Sequence, residues 1–553
     1  MDHLNITNAL FPSGEEHFML LSSPLNSHGA SIIPPLPTSG YSSMAANALS
    51  IFLLAILSRA TYILFARSWL STSRHLPSPN QGCVLFRLLH EPKVTELEQW
   101  MDTIPNTGLI RYYGLWNEER LYAASPAAVT DLLVKQPYHY TKPRLQYVLA
   151  DNIASKGLLI QEGDIHKKAR KAFNPAFNAE RIRKAYPAML RSAADTVDHV
   201  SAQIQQGDVL KPTGQVSILK LISAAAIDII GHWGFSRSFN ALEDKKGFGK
   251  AYLAMFKTTV RGQKTLDAAA KIGPELALSL PLRAVQTIKS VMQLVRQTSE
   301  DIVIEHENET SPQDDMLAMI MKTGHFTHTE LVDQTVHFLA AATETVSGSI
   351  AWAIHLLSRH PEMQDRLRAE IHMAFPSQAS LVKDDSASVL EHMPYLNAVI
   401  KEVLRFHSIN TILWRESVSD VSAICGHRIP RGTKVTFSPW ALNRDPSLWG
   451  PDARLFNPDR WMHDPVSGGA DRNYAFLTFG AGPRRCIGET YAKAEMRCML
   501  VSLFGAFDWA PIEELKGDNG SDFGEEIGDN HALTLFKILE GWKVKCTMVA
   551  GWA

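Results

Sequence analysis

Ten consecutive residues late in the chain, Phe479-Gly480-Ala481-Gly482-Pro483-Arg484-Arg485-Cys486-Ile487-Gly488, carry the side chains best suited to chemistry. A cysteine binds metal or attacks as its thiolate, so its surroundings decide its use. A helix is predicted from Ile487 through about Leu503. Its dipole and free N–H groups would then face the sulfur of Cys486 and favour the thiolate. Gly482 and Gly488 let the backbone approach closely or adopt positive φ. Arg484 can donate a charge-assisted hydrogen bond to a carboxylate, and Phe479 can pack beside the sulfur and shield it. This set suits a sulfur ligand on an iron, with Arg484 directed at a haem propionate. The plain alternative is a buried free cysteine in a Gly-rich turn, since most free cysteines are core. The ten-residue combination argues against it.

The segment resembles the F-x-x-G-x-R-x-C-x-G signature of the cytochrome P-450 family, filled here by Phe479, Gly482, Arg484, Cys486 and Gly488. The resemblance implies heme b (iron protoporphyrin IX) with Cys486 as its axial thiolate and metal ligand. In that family the thiolate pushes electron density toward O–O cleavage. It implies further landmarks, which follow in the expected order. Ala341-Ala342-Thr343-Glu344-Thr345 is similar to the family's A-G-x-[DE]-T oxygen-activation segment, with Ala342 where Gly is commoner. There Thr345 would pass a proton or hold a water, and Glu344 would replenish it. Glu402-x-x-Arg405 and Phe456-Asn457-Pro458-Asp459-Arg460-Trp461 resemble the family's E-x-x-R and F-x-P-x-R-[FW] segments. They imply a buried structural triad of Glu402, Arg405 and Arg460. Arg415 lies where the family has a propionate-binding arginine. His166-x-x-x-Arg170 lies where it has W-x-x-x-R, with His in place of Trp. The i, i+4 spacing puts both side chains on one helix face.

These residues need rigid elements to hold them. Thr327 and Glu330 form a capping box, and apolar residues then recur to Leu357, predicting a helix over His328–Arg359. At 1.5 Å per residue it would run roughly 48 Å and cross the whole domain. Pro361 begins the next helix, and another is predicted over about Pro394–His407. Strand-like pieces lie near Gly108–Ala123 and Ala423–Thr436, and the acidic, Gly-rich run Lys516–Asn530 reads as an exposed insertion. The expected fold is therefore mainly α: the cytochrome P-450 fold with a small β region.

The N-terminus predicts the address. Residues 1–43 hold no Lys or Arg, 44–66 are largely apolar, and Arg67 and Arg74 follow. About 20 apolar residues cross a bilayer as a helix, and positive charge after the span keeps the body cytosolic. Asn47 and Arg59 lie within the stretch, and Arg59 would snorkel to the nearer interface. A signal peptide fits poorly, because the apolar run starts late and lacks a basic n-region. The expected organisation is a lumenal tail over 1–43, a transmembrane helix over 44–66, a hinge over 67–80 and a haem domain over 81–553. It gives a single-pass protein of the endoplasmic reticulum membrane, with the Asn5-Ile6-Thr7 glycosylation sequon in the lumen.

Composition agrees. The 553 residues are 45% hydrophobic, ample for a large core, and a net charge of -2 gives no pull toward nucleic acid. The five cysteines (Cys83, Cys425, Cys486, Cys498, Cys546) include no C-x-x-C pair, which disfavours a disulfide framework or a zinc knuckle.

The reading is a monooxygenase acting on a lipophilic small molecule of secondary metabolism with O2, similar in general character to fungal members of the family. No nicotinamide or flavin fingerprint is apparent, so electrons would come from NADPH through a separate cytochrome P-450 reductase, with cytochrome b5 as a second donor. Lys167, Lys168, Lys171, Lys493 and Arg497 are the expected docking patch for that acidic partner. The alternatives are a haem-thiolate isomerase or dehydratase that consumes no O2, and a haem-binding sensor or carrier without turnover.

Overall fold

The computed structural model describes residues 38–62, 66–144, 155–204, 212–243, 247–249, 251–252, 271–309, 314–383, 385–470, 473–512 and 543–552. The sequon at Asn5 and the run Lys516–Asn530 lie outside the described residues. The chain divides into two units, Met1–Tyr62 and Ile63–Ala553.

In the first unit, helix α1 spans Thr38–Thr61 and so starts before the expected Met44. Its side chains from Asn47 to Arg59 are exposed, among them Leu49, Ile51, Phe52, Leu53, Leu54, Ile56 and Leu57. Among the described residues one helix, Ile218–Phe235, is long and apolar enough to cross a membrane, but 83% of it is buried in the second unit, which makes it a core helix; the apolar part of α1, Asn47–Thr61, is shorter.

The longer helices of the second unit are α2 (Val94–Thr103), α3 (Gly163–Phe173), α4 (Ala179–Ile204), α5 (Ile218–Phe235), α6 (Arg283–Asn308), α7 (His328–Arg359), α8 (Pro361–Ala374), α9 (Pro394–Phe406) and α10 (Glu489–Ala506). Helix α7 keeps the bounds its sequence predicts. The Thr327 Oγ1 accepts from the Glu330 N–H at 3.3 Å, and Glu330 Oε2 accepts from the Thr327 N–H at 2.8 Å. Most of α7 is buried, because α5, α6, α9 and α10 pack around it.

The strands are β1 (Leu109–Gly114), β2 (Glu118–Ala123), β3 (Tyr140–Thr141), β4 (Thr213–Ser217), β5 (Leu413–Ser417), β6 (Ala423–Ile424), β7 (His427–Arg428), β8 (Lys434–Phe437), β9 (Phe507–Pro511) and β10 (Lys543–Met548). A five-stranded sheet runs β1-β2-β8-β5-β3; β4-β10-β9 and β6-β7 form smaller sheets. One apolar cluster fills the helical body, and a second lies under the five-stranded sheet around Leu121, Val435, Phe437 and Leu477. The register Tyr140↔Ser417 and Thr141↔Glu416 is antiparallel, and Lys142 follows directly after β3.

Candidate active site

The loop before α10 is built to present one sulfur. Gly482 sits at φ 68°, a left-handed conformation that glycine tolerates best. A β-carbon there would also collide with the Leu133 carbonyl, so close packing demands glycine twice over. Gly480, which sequence reasoning passed over, has φ 70°. The loop closes with the Cys486 N–H donating to the Phe479 carbonyl at 2.8 Å, while the Phe479 ring faces the Lys493 ammonium at 5.3 Å. Gly488 has ordinary φ and caps α10, which begins at Glu489 instead of the expected Ile487. A β-carbon at Gly488 would lie 4.0 Å from Cys486 Sγ.

Cys486 is accessible, yet protein surrounds it on most sides, as for a group lining an internal recess. Burial raises its thiol, and the Gly488 N–H with Arg170 and Arg485 opposes this without reversing it. A metal ion at the sulfur would offset that burial, since a coordinating thiol is deprotonated outright.

The triad is present and larger than its motifs indicate. Glu402 and Arg405 are fully buried, with Arg405 Nε donating to Glu402 Oε2 at 2.8 Å and Nη2 to Oε1 at 2.7 Å. Arg460 Nε reaches Glu402 Oε1 at 3.3 Å. Glu402 also accepts from the Asn457 N–H at 2.8 Å and from Trp461 Nε1–H at 2.9 Å. Arg405 donates onward to the carbonyls of Asn443, Ala453 and Leu455. Asn443 then accepts from the Leu477 N–H at 2.8 Å, and Thr478 Oγ1 donates to the Leu404 carbonyl at 2.6 Å. The network thus pins the strand of chain that enters the cysteine loop. Trp461 closes the F-x-P-x-R-[FW] segment, whereas Asn443 and Thr478 carry no motif strong enough to find from sequence.

A group of buried cations lies beside the loop. Arg484 pairs with Glu162 through Nη2, while its Nε and Nη1 are buried with no partner among the described residues. Arg415 is buried on β5, where Nη1 donates to the adjacent Trp414 carbonyl at 2.8 Å. Burial and then Arg484 push its guanidinium down to about 10. Lys142 Nζ lies 3.6 Å from Glu162 Oε1 and is only 13% exposed. Burial works to raise the Glu162 carboxyl, but Arg484 and Lys142 outweigh it and hold it below the usual range. His166 is buried, with Nδ1 3.2 Å from the Tyr138 hydroxyl. Burial, Arg484 and Lys142 drive it down to about 4, so it is neutral at pH 7. Arg170 does not join this group. It donates to the Arg485 carbonyl and to Asn174, bracing the cysteine loop from outside.

These residues fit a haem. Two guanidinium groups (Arg415, Arg484) less one carboxylate (Glu162) leave one buried positive charge, to which Lys142 adds a second when protonated, together with two orphaned N–H groups of Arg484. Buried charge of that size calls for anions, and a porphyrin bearing two propionates supplies two.

On α7, Thr345 Oγ1 donates to the Ala341 carbonyl at 2.8 Å, which leaves its lone pairs to accept. Glu344 is half-exposed by surface area, yet apolar surroundings push its carboxyl up to about 8. It is therefore mainly protonated at pH 7, a donor instead of the carboxylate expected. The electrostatics place the Tyr252 phenol near both Glu344 and Thr343. Phe338 packs against Phe173 and Phe177 at centroid distances of 4.9 and 5.5 Å. Of the expected docking cations, Lys168 and Lys171 are exposed. Lys167 pairs with Asp164, Lys493 with Glu489, and Arg497 donates to Asn397 and Tyr186. The last two are spent on internal structure.

Comparison with known proteins agrees with this geometry. The family model described as Cytochrome P-450 matches residues 85–523. The chain is 32% identical to the cytochrome P-450 monooxygenase sphH of Aspergillus fumigatus, covering 88% of this chain and 92% of the relative. It is 31% identical to the monooxygenase FUM15 of Gibberella moniliformis, with 81% of this chain and 84% of the relative covered. The monooxygenase FSL4 of Gibberella zeae is 30% identical over the same shares, 81% and 84%. With its cysteine loop, its buried ion triad and its cation group in place, this chain belongs to the cytochrome P-450 family and is an oxidoreductase of the monooxygenase type.

Proposed function

We propose that the protein binds heme b through Cys486 and inserts one oxygen atom from O2 into a lipophilic small molecule, in secondary metabolism. When bound, the haem supplies activation of dioxygen. The chain's own residues do the rest. Cys486 would ligate the iron, its loop held by the Glu402–Arg405–Asn443–Thr478 network. Arg484 and Arg415 would hold the propionates. Glu344, its carboxyl pushed up to about 8, would carry a proton at neutral pH, and the Thr345 hydroxyl, one residue on, would accept it and pass it on. The observation that carries the reading is the cysteine loop, closed by the Cys486 N–H on the Phe479 carbonyl and backed by the buried Glu402–Arg405 network, with the Thr345 hydroxyl on α7 able to accept. An isomerase or dehydratase that leaves O2 untouched needs no relay toward dioxygen, and neither does a sensor or carrier.

Electrons come from NADPH through a separate reductase, with cytochrome b5 as a second donor, docking on the exposed face of α3 at Lys168 and Lys171. The exposed apolar side chains of α1 support a membrane anchor over residues 44–66. We place that body on the cytosolic side of the endoplasmic reticulum, with Asn5 as a lumenal glycosylation site. The test is product formation by membranes holding this chain and its reductase with a panel of lipophilic substrates. Thr345→Ala should keep the haem spectrum and divert NADPH from product to peroxide. Product formation without O2, or unaltered coupling in Thr345→Ala, would sink the proposal.

A further inference from the structure

We propose that Tyr138 is a positioning residue beside the haem-binding group: its hydroxyl fills Nδ1 of His166 and so fixes the tautomer in which Nε2 carries the proton. Tyr138 belongs to none of the recognised motifs and lies just before β3, so only the fold brings it to the first turn of α3. Its hydroxyl and His166 Nδ1 are 3.2 Å apart, and neither side chain makes another hydrogen bond among the described residues. The chemistry of the two groups sets the direction of this bond. A phenol is the better donor and a neutral imidazole nitrogen the better acceptor. Lys167 and Arg484 lie 4.5 and 5.1 Å from the Tyr138 ring centroid, and two cations on its π-system strengthen the hydroxyl as a donor.

A histidine in this place needs such control. His166 is only 4% exposed, and the charges facing it are Arg484, Lys142, Arg170 and Glu162. Burial, then the cations, keep it neutral at pH 7. A neutral imidazole has one donor nitrogen and one acceptor, and the bond at one nitrogen decides what the other can face. Nε2 has no hydrogen-bond partner among the described residues, so it is the nitrogen left for a ligand. With the proton on Nδ1, Nε2 would turn a lone pair toward the anion that the buried guanidinium groups of Arg415 and Arg484 call for. With the Tyr138 O–H on Nδ1, Nε2 offers an N–H instead. The pair thus turns a histidine that burial has stripped of charge into a fixed N–H donor.

The inference rests on the heme b reading, and its test separates the two. Holoprotein with isotope-labelled histidine nitrogens is read by nuclear magnetic resonance in the ferrous carbon monoxide form, His166 being the signal absent from His166→Phe. Wild type should show the Nε2–H tautomer at His166, and Tyr138→Phe a mixture of both tautomers. Haem transfer to excess apomyoglobin, followed at the Soret band, should be about fivefold faster in Tyr138→Phe, the effect of one ordinary hydrogen bond. In the His166→Phe background the same Tyr138→Phe change should alter that rate by less than about twofold, since the coupled partner is gone. A wild-type His166 with its proton on Nδ1, beside a thiolate-type carbon monoxide spectrum, overturns the inference and leaves the haem reading intact. So does a Tyr138→Phe protein that keeps the wild-type tautomer and release rate. Equal acceleration with and without His166 also overturns it, because Tyr138 would then act through packing. A wild-type chain without any thiolate-type haem spectrum would overturn both.

Discussion

Glu402→Gln is the sharpest test of how this fold holds its cysteine. The substitution keeps shape and removes one buried negative charge. In the native network Oε1 accepts from Arg405, Arg460 and the Asn457 N–H, and Oε2 accepts from Arg405 and Trp461. A glutamine keeps one acceptor and turns the other into a donor. With its oxygen at the Oε1 position, Arg405 Nε and Trp461 Nε1–H both lose their acceptor, and the opposite orientation leaves three donors unmet. Arg460 retains Asp452 at 2.9 Å, but Arg405 retains only backbone carbonyls. Breaking a buried pair in this way costs about 3–5 kcal/mol, most of it from the charge left behind. Total stability is typically about 5–15 kcal/mol. Unfolding in urea, followed by far-ultraviolet circular dichroism and by the Soret band, should shift its midpoint down by roughly 1–2 M. The thiolate-type carbon monoxide signal should be lost before the helical signal, because Asn443 and Thr478 transmit the network to the cysteine loop. A midpoint within error of wild type, with the signal intact, would refute the ionic account. The motif would then be a packing feature.

Other outcomes follow from the same structure. Glu344 is protonated below about 8, so coupled turnover should fall as pH rises through that value. Glu344→Gln should flatten that limb of the pH profile, and an unchanged profile would count against the proton-donor role. His337 and His355 are buried and held down to about 4 and about 3, and His407 lies well below its usual value. Burial is the chief cause in each. The unfolded chain takes up protons near pH 6.5 that the folded chain refuses, so stability is full above that pH and falls as pH drops toward 4. The slope is about 1.4 kcal/mol per pH unit for each histidine. Urea midpoints at pH 7 and 5.5 measure it, and His355→Phe should remove one proton's share. Reversing the two exposed charges with Lys168→Glu and Lys171→Glu should slow reduction by the reductase, most at low salt, and leave substrate binding unchanged. Equal reduction rates in stopped flow would move the docking face elsewhere.

Much of the site was legible because its chemistry is local. The signature around Cys486 reads off consecutive residues, and so does Gly482, whose positive φ a glycine alone accepts easily. Helix α7 kept its predicted ends because the Thr327–Glu330 box and the Arg359–His360–Pro361 boundary are written within a few residues. Glu402 and Arg405 lie one helical turn apart, so their pairing needed only a helix.

Sequence alone determined what could bind iron, which helix faces are apolar, and that the chain is a mainly helical haem protein. Tertiary structure decided charge and company. It paired Tyr140 with Ser417 and Thr141 with Glu416 across distant segments, and it gave Glu344 surroundings that push its carboxyl up to about 8. It also sent Arg170 to the Arg485 carbonyl and Phe338 into an aromatic stack with Phe173 and Phe177. Burial and cross-chain contacts set ionisation and partners, and both arise only when distant segments meet.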